Sequence, residues 1–338
     1  MGLLNSDQEG SENGFPSIRP RSLDEYVGQG DIKEKLRIAI AAAKMRNEPV
    51  DHILFAGPPG LGKTTLAHIV AREMGSFIHV TSGPVLERQG DIAAILTTLE
   101  RGDILFIDEI HRINRSVEEI FYSALEDYEV DIMIGKGPGA RSVRIELKPF
   151  TLIGATTRSG LLSAPLRNRF GMILELRFYS KDELVKIVKR ASEIMGLNLD
   201  FEAAELIAAR SRGTPRIALR LVKRVRDVAT VRKQTLVDTS LVQKTMDILG
   251  VDEWGLDETD RKILKTIIEI YDGGPVGIEA LSATLNLEIN TIKEVYEPYL
   301  LQTGFIIRTP RGRVVTDTAY TALGYDLKQR GGLFDGLS

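Results

Sequence analysis

The residues 57–64, Gly-Pro-Pro-Gly-Leu-Gly-Lys-Thr, fill the spacing G-x-x-x-x-G-K-[ST] without a gap. Glycines at these positions let the backbone fold round a phosphate chain so that successive N–H groups converge on it. The helix that opens at the end of the loop adds its positive dipole end. Lys63 then reaches the β- and γ-phosphates, and the Thr64 hydroxyl supplies a ligand for Mg²⁺. An apolar run at 104–107 ends in Asp108 and Glu109. Asp108 suits the Mg²⁺ shell, and Glu109 can polarise an attacking water. A third apolar run, 151–155, ends in Thr156-Thr157-Arg158, where a hydroxyl could orient that water or touch the γ-phosphate. Two arginines follow in Pro165-Leu166-Arg167-Asn168-Arg169-Phe170-Gly171. A guanidinium brought to the developing charge of phosphoryl transfer from a neighbouring subunit is worth roughly 10³–10⁵ in rate; a surface arginine paired to a carboxylate is the plain alternative. Gly213-Thr214-Pro215-Arg216 marks a helix start at which Arg216 could reach a nucleotide.

These groups need a frame that brings them together. Short continuous apolar runs at 53–56, 104–107, 151–155 and 173–176 alternate with helical stretches at 32–46, 64–74 and 116–128. Such runs read as buried parallel strands of an α/β sheet, whose C-terminal ends form the ligand edge. The strand pattern stops near 179. From 180 onward the sequence is helical, beginning with a capping-box spacing at Ser180 to Glu183 and an apolar face of Leu184, Ile187 and Val188. Residues 252–257 read as a linker. After them come three short helical patterns, a strand at 305–308, a Thr-Pro-Arg-Gly-Arg turn and a strand at 314–316, the pattern of a winged helix. The expected organisation is a mobile arm at 1–14, a large α/β domain at 15–179, a small helical lid at 180–252 and a winged-helix head at 253–338, its Gly-rich tail loose.

Composition limits the chemistry. The chain has 338 residues, 44 Lys and Arg against 47 Asp and Glu, and no Cys. Disulfide frameworks, Cys-ligated metal sites and a cysteine nucleophile are excluded. No apolar run approaches the ~20 residues of a membrane span, and the polar, acidic start is unlike a secretory signal, so a cytoplasmic protein is expected. Residues 130–134 and 142–147 alternate across a Gly-rich link at 135–140, which predicts a β-hairpin. Ile132, Met133 and Ile134 near its tip suggest a docking surface for a partner. Residues 253–338 carry nine basic and thirteen acidic residues, which argues against DNA. Yet 298–316 holds no acidic residue and three arginines, Arg308, Arg311 and Arg313. Gly312 would let that turn approach a backbone closely. Phosphate contact without base reading follows, with the wing touching DNA. The helix at 290–302, burdened by Glu294, Glu297 and Pro298, would not.

Phosphate loop, Asp-Glu strand end, Thr-ended strand, arginine turn and Gly-x-Pro-Arg lid together resemble the AAA+ ATPases. Residues 19–29, 57–65, 106–112, 154–158, 165–171, 212–218 and 308–313 are more closely similar to the RuvB family of bacterial Holliday-junction branch-migration motors, over about 15–325. The resemblance implies an AAA+ core with a parallel sheet, a helical lid and a winged helix. It implies an ATP hydrolase with ATP/ADP and Mg²⁺, driving duplex DNA through a homo-hexameric ring in recombination, repair and the SOS response to DNA damage. Ile18, Arg19 and Tyr179 would border the nucleotide, and Gly60, Leu61, Gly62, Lys63, Thr64 and Thr65 would hold its phosphates. Asp108 and Glu109 would serve the metal and the water, Thr157 the first sensor, and Pro215 with Arg216 the second. Arg169 would be the finger acting on the neighbouring subunit, with Glu126, Asp127 and Tyr128 lining the same seam. The segment before Ile18 offers Phe15 and Pro16 where the family pattern leads one to expect a Tyr. The hairpin would dock RuvA, the junction-binding partner, within a larger assembly containing the RuvC resolvase. A clamp-loader-like ATPase switch is the alternative; it would lack the winged helix and would often carry a Cys zinc site. A non-enzymatic nucleotide module and a protein-unfolding ring are weaker rivals, the first opposed by Glu109 and the second by the lack of an aromatic pore loop.

Overall fold

The computed structural model describes residues 18–134 and 141–326; the expected arm at 1–14, the hairpin link at 135–140, the tail from 327 and the side chains of 132–134 and 141 lie outside the described residues. The chain divides into two units, Met1–Tyr179 and Ser180–Ser338.

The first unit is built on a five-stranded parallel sheet. Its strands are β1 (Ile53–Ala56), β2 (Ile78–Ser82), β3 (Ile104–Asp108), β6 (Thr151–Thr156) and β7 (Met172–Glu175), in the order β2-β3-β6-β1-β7. β1 and β6 are buried at every position, as strands covered on both faces must be. β2 was not expected from the sequence. It is an edge strand, Ile-His-Val-Thr-Ser, with Val80 56 % exposed, so it lacks the continuous apolar run that marks the other four. The predicted helix at 116–128 is two pieces, Arg115–Glu118 and Ile120–Glu126, the first capped by the Asn114 side chain on the Val117 amide. β4 (Glu129–Ile134) and β5 (Arg141–Glu146) form the expected antiparallel hairpin.

The second unit opens with Lys181–Ile194, whose capping box pairs Ser180 and Glu183 as the sequence predicts. Phe201–Ala209, Pro215–Val231 and Thr239–Leu249 complete the helical part. A winged helix follows. Glu258–Ile270 and Ile278–Leu285 precede a ribbon of β8 (Ile306–Thr309) and β9 (Gly312–Val315), all sharing a core of Ile263, Leu264, Ile267, Leu281, Leu300 and Phe305. The helix expected at 290–302 is present and runs without a gap over 289–302, but it widens to a π-turn at Ile292–Tyr296, between Ile289–Thr291 and Glu297–Gln302. Pro298 has no N–H, and its ring collides with the preceding turn, so the backbone widens there. No described helix is long and apolar enough to cross a membrane.

Candidate nucleotide site and nucleic-acid interface

Sheet order converts sequence-distant motifs into one site. β1, β6 and β3 are neighbours, with Ala56 opposite Thr156 and Ile107 opposite Gly154. Their C-terminal ends therefore present the phosphate loop, Thr157 and Asp108 along one edge. The Gly57 amide donates to the Thr156 carbonyl at 3.1 Å, fixing where the loop departs. Gly57 (φ 135°) and Gly62 (φ 98°) lie where side chains are disfavoured; a Cβ at Gly57 would come within 2.7 Å of the Leu176 carbonyl. The helix Lys63–Met74 starts directly from this loop. Lys63 is only 8 % exposed and donates to the Gly57 and Pro58 carbonyls at 2.7 and 2.8 Å. Burial lowers its ammonium to about 8, with the nearby Asp108 charge opposing.

Three pairs of polar residues stand along this edge beside the loop. Asp108 accepts from the Glu109 amide at 2.9 Å, and Glu109 itself sits at φ 48° with its carboxylate on Arg112 at 2.9 Å. Thr64 and Thr65 are half-buried on the first turn. A hydroxyl and one or two carboxylates, completed by phosphate oxygens, are the sparse hard-oxygen set that Mg²⁺ takes, and the residues present fit that ion. At the end of β6 the two threonines differ. Thr156 Oγ1 lies 3.0 Å from His111 Nδ1 and accepts from the Arg158 amide, whereas Thr157 Oγ1 is buried with no partner. Thr157 is thus the hydroxyl left available at this edge.

Arg169 has every donor group engaged. Nε donates to the Tyr122 carbonyl, Nη1 to the Pro165 carbonyl and Nη2 to Glu126, each at 2.9 Å, and the guanidinium lies 4.8 Å over the Tyr122 ring. Glu126 and Asp127 are exposed beside it, and Tyr128 is half-buried; Arg167, in the short helix Ala164–Asn168 that Arg169 ends, is exposed. Ile18 is half-buried and Arg19 exposed at the start of the described chain. Tyr179 is 5 % exposed, and its hydroxyl lies 3.1 Å from the Leu61 carbonyl of the phosphate loop. Tyr26, not among the candidates read from the sequence, donates to the same carbonyl at 3.0 Å and meets the Tyr179 hydroxyl at 2.8 Å. Two buried tyrosines thus brace the loop. Pro215 and Arg216 open the helix Pro215–Val231 in the second unit, Arg216 exposed at its second position.

The wing differs from expectation in two respects. Arg308 and Arg313 are not free cations: both bind Glu297, a carboxylate 1 % exposed, at 2.7 and 2.8 Å. Burial pushes the Glu297 carboxyl up, but the hydrogen bonds from the two guanidiniums outweigh it and hold the group below its ordinary range. The Arg313 side chain is 13 % exposed and that of Arg308 53 %, so the first belongs to the core of the ribbon and the second to its rim. Arg311, at the turn, is exposed and makes no ion pair among the described residues. Gly312 does permit a close approach, but to this chain's own backbone: a Cβ there would lie 2.3 Å from the Val276 carbonyl, which accepts from the Arg313 amide.

Comparison with known proteins adds three matching family models. Residues 18–176 match the "Holliday junction DNA helicase RuvB P-loop domain", 179–252 the "RuvB AAA lid domain", and 253–324 the "RuvB C-terminal winged helix domain". The chain is 70 % identical over 335 residues to the Holliday junction branch migration complex subunit RuvB of Pseudothermotoga lettingae, covering 99 % of this chain and 97 % of that protein. It is 64 % identical over 318 residues to the subunit of the same name from Thermotoga maritima, covering 94 % and 95 %. Among solved structures, the Thermotoga maritima RuvB Holliday junction branch migration motor superposes with a TM-score of 0.85 at 62 % identity, over 92 % of this chain and 99 % of that one.

Proposed function

Because the chain belongs to the RuvB family, we propose that it spends ATP at the seam between like subunits to move duplex DNA. The chain is an AAA+ ATPase motor that drives branch migration of Holliday junctions. The observation that carries the catalytic reading is the convergence on one sheet edge of the Lys63 loop, Asp108, Glu109 and the unpartnered Thr157 hydroxyl.

In the proposed cycle the loop amides and Lys63 hold the triphosphate, exchanging the Gly57 and Pro58 carbonyls for phosphate oxygens. Thr64, with Asp108 behind it, would hold Mg²⁺, which would supply charge neutralisation for the triphosphate. Glu109 orients a water and receives its proton as oxygen attacks phosphorus and ADP leaves. Thr157 bonds the water or a γ-oxygen. Ile18, Arg19 and Tyr179 border the base, and Pro215 with Arg216 closes from the lid. Arg169 serves the neighbouring protomer's ATP, with Glu126, Asp127 and Tyr128 along the same seam. Its Glu126 partner has a side chain 58 % exposed, and an exposed ion pair contributes only about 0–1 kcal/mol, so trading Glu126 for a phosphate costs little. No covalent enzyme intermediate is needed, since positioning and electrostatics carry phosphoryl transfer.

The working assembly in this reading is a homo-hexamer in the cytoplasm, docked on RuvA through the 129–146 hairpin and joined by RuvC in the resolving complex. The wings, with Arg311 foremost, contact phosphates without reading bases. Mixing decides the trans role. Lys63→Ala and Arg169→Ala rings should each be inactive, while mixed rings of the two should regain ATP turnover at seams that pair an intact loop with an intact finger. No rescue in rings shown to co-assemble would refute the arrangement.

A further inference from the structure

The junction between lid and winged helix, expected to be a linker, is bolted by two arginines that cross it in opposite directions. From the lid, the Arg212 side chain, 7 % exposed, donates through Nε to the Gly255 carbonyl at 2.7 Å. Its Nη2 meets Asp257 at 3.0 Å and also pairs with Asp260, a carboxylate 0 % exposed. Its guanidinium lies 5.4 Å over the Tyr299 ring, and the Tyr299 hydroxyl donates to the Trp254 carbonyl at 2.6 Å. One side chain therefore touches the connecting turn, the first helix of the winged helix through Asp257 and Asp260, and the third helix through Tyr299. From the other side, Arg261 donates to the Leu256 carbonyl at 2.8 Å and the Gly250 carbonyl at 2.9 Å.

This clasp is maintained against opposing terms. Arg212 sits at φ 51°, a backbone region that only over-determined non-glycine residues occupy. Burial pushes the Asp260 carboxyl up to about 7 even with Arg212 beside it. Buried charges held so expensively are poor sources of stability and good sources of a unique geometry. The clasp also stands next to the turn that carries Arg216. Ser211 and Thr214 are buried, and the Thr214 amide donates to the Ser211 carbonyl at 3.0 Å, so the short step from Arg212 to Arg216 runs through a hydrogen-bonded, packed turn.

We propose that Arg212 is a positioning residue of the motor: it locks the winged helix to the lid, so that a displacement of the Arg216 turn reaches the DNA-contacting wing as rigid-body motion rather than being absorbed at 252–257. The proposal rests on the reading of Arg216 as the residue that meets nucleotide. Because the chain has no Cys, spin labels at Lys186→Cys in the lid and Lys265→Cys in the winged helix report their separation without background. In the full chain the parent pair should give one narrow distance distribution. Arg212→Met should broaden it, and should lower migration of a synthetic four-way junction per ATP hydrolysed by about tenfold, with DNA-independent ATP turnover unchanged. Asp257→Asn keeps the helix cap while weakening the ion pair; it should broaden the distribution in the same direction and serves if Arg212→Met does not fold. Narrow distributions in the folded variants, or migration and turnover falling in parallel, overturn the proposal. An Arg216→Ala chain with normal ATP turnover would refute the sensor reading alone, since the distance measurement does not depend on it.

Discussion

Lys63 makes the chemistry of the loop measurable by pH. Burial lowers its ammonium to about 8, against the opposing Asp108 charge. An ordinary lysine, as in the unfolded chain, titrates near ~10.4. Between these values the nucleotide-free fold holds fewer protons than the unfolded chain, so this group makes stability rise with pH across that window. Bound triphosphate favours the charged form, so ATP binding above pH 8 must take up a proton. The expected result is an affinity that weakens by up to ~tenfold per pH unit above 8, with proton uptake seen as a buffer-dependent enthalpy in titration calorimetry. Lys63→Arg, which stays charged throughout, should lose that dependence whatever its absolute affinity; a flat profile in the parent would contradict the assignment. At this scale the sequence was legible where types and spacing repeat a chemical solution, as in the loop and the Asp108-Glu109 pair. It was silent on Tyr26, whose hydroxyl acts on a carbonyl 35 residues away; nothing local in a loop tyrosine signals such a partner. It could not choose between Thr156 and Thr157 on chemistry alone either, because only the fold hands His111 to the first and leaves the second unpartnered.

Strands and helices were legible in proportion to how strongly burial shaped them. β1, β3, β6 and β7 are continuous apolar runs and their positions agree with expectation within a residue or two, whereas edge strand β2 alternates His, Val and Thr and was missed. The third helix of the winged helix shows the limit of periodicity. Its apolar spacing announced a helix, but Pro298 imposes the π-turn at Ile292–Tyr296. That turn leads straight into Glu297, which reads in sequence as a solvated acid hostile to DNA. In the fold it is a buried anchor that joins this helix to both strands of the wing through Arg308 and Arg313. Removing one partner of a buried ion pair costs about 3–5 kcal/mol, so Glu297→Ala should destabilise the second unit by that order in denaturant unfolding. Because the carboxyl is held below its ordinary range, its contribution is present above the unfolded value and is lost only as pH falls below ~4. A Glu297→Ala chain with parental stability at neutral pH would show that the two arginines are held by something else.

Charge over the whole molecule separates structural arginines from working ones. A net charge of −3 gives no general attraction to DNA, so duplex binding has to come from local cations set at fixed points. Counting Arg308, Arg311 and Arg313 as equal contributors was reasonable from sequence, where all three sit in one acid-free stretch. The fold divides them, spending two on Glu297 and leaving Arg311 at the exposed turn. A motor that must pass any sequence needs phosphate contacts, and each such contact releases counterions whatever the bases are. Arg311→Ala should therefore weaken binding equally on unrelated duplexes and reduce the slope of log affinity against log salt by about one for each wing seated on a phosphate. Its unfolding curve should be parental. Arg313→Ala should behave oppositely, lowering stability through the uncompensated Glu297 and affecting DNA only as the ribbon loosens. If instead Arg313→Ala flattened the salt dependence in a fully folded chain while Arg311→Ala did nothing, the contact surface would have to be moved from the turn to the flank of the ribbon.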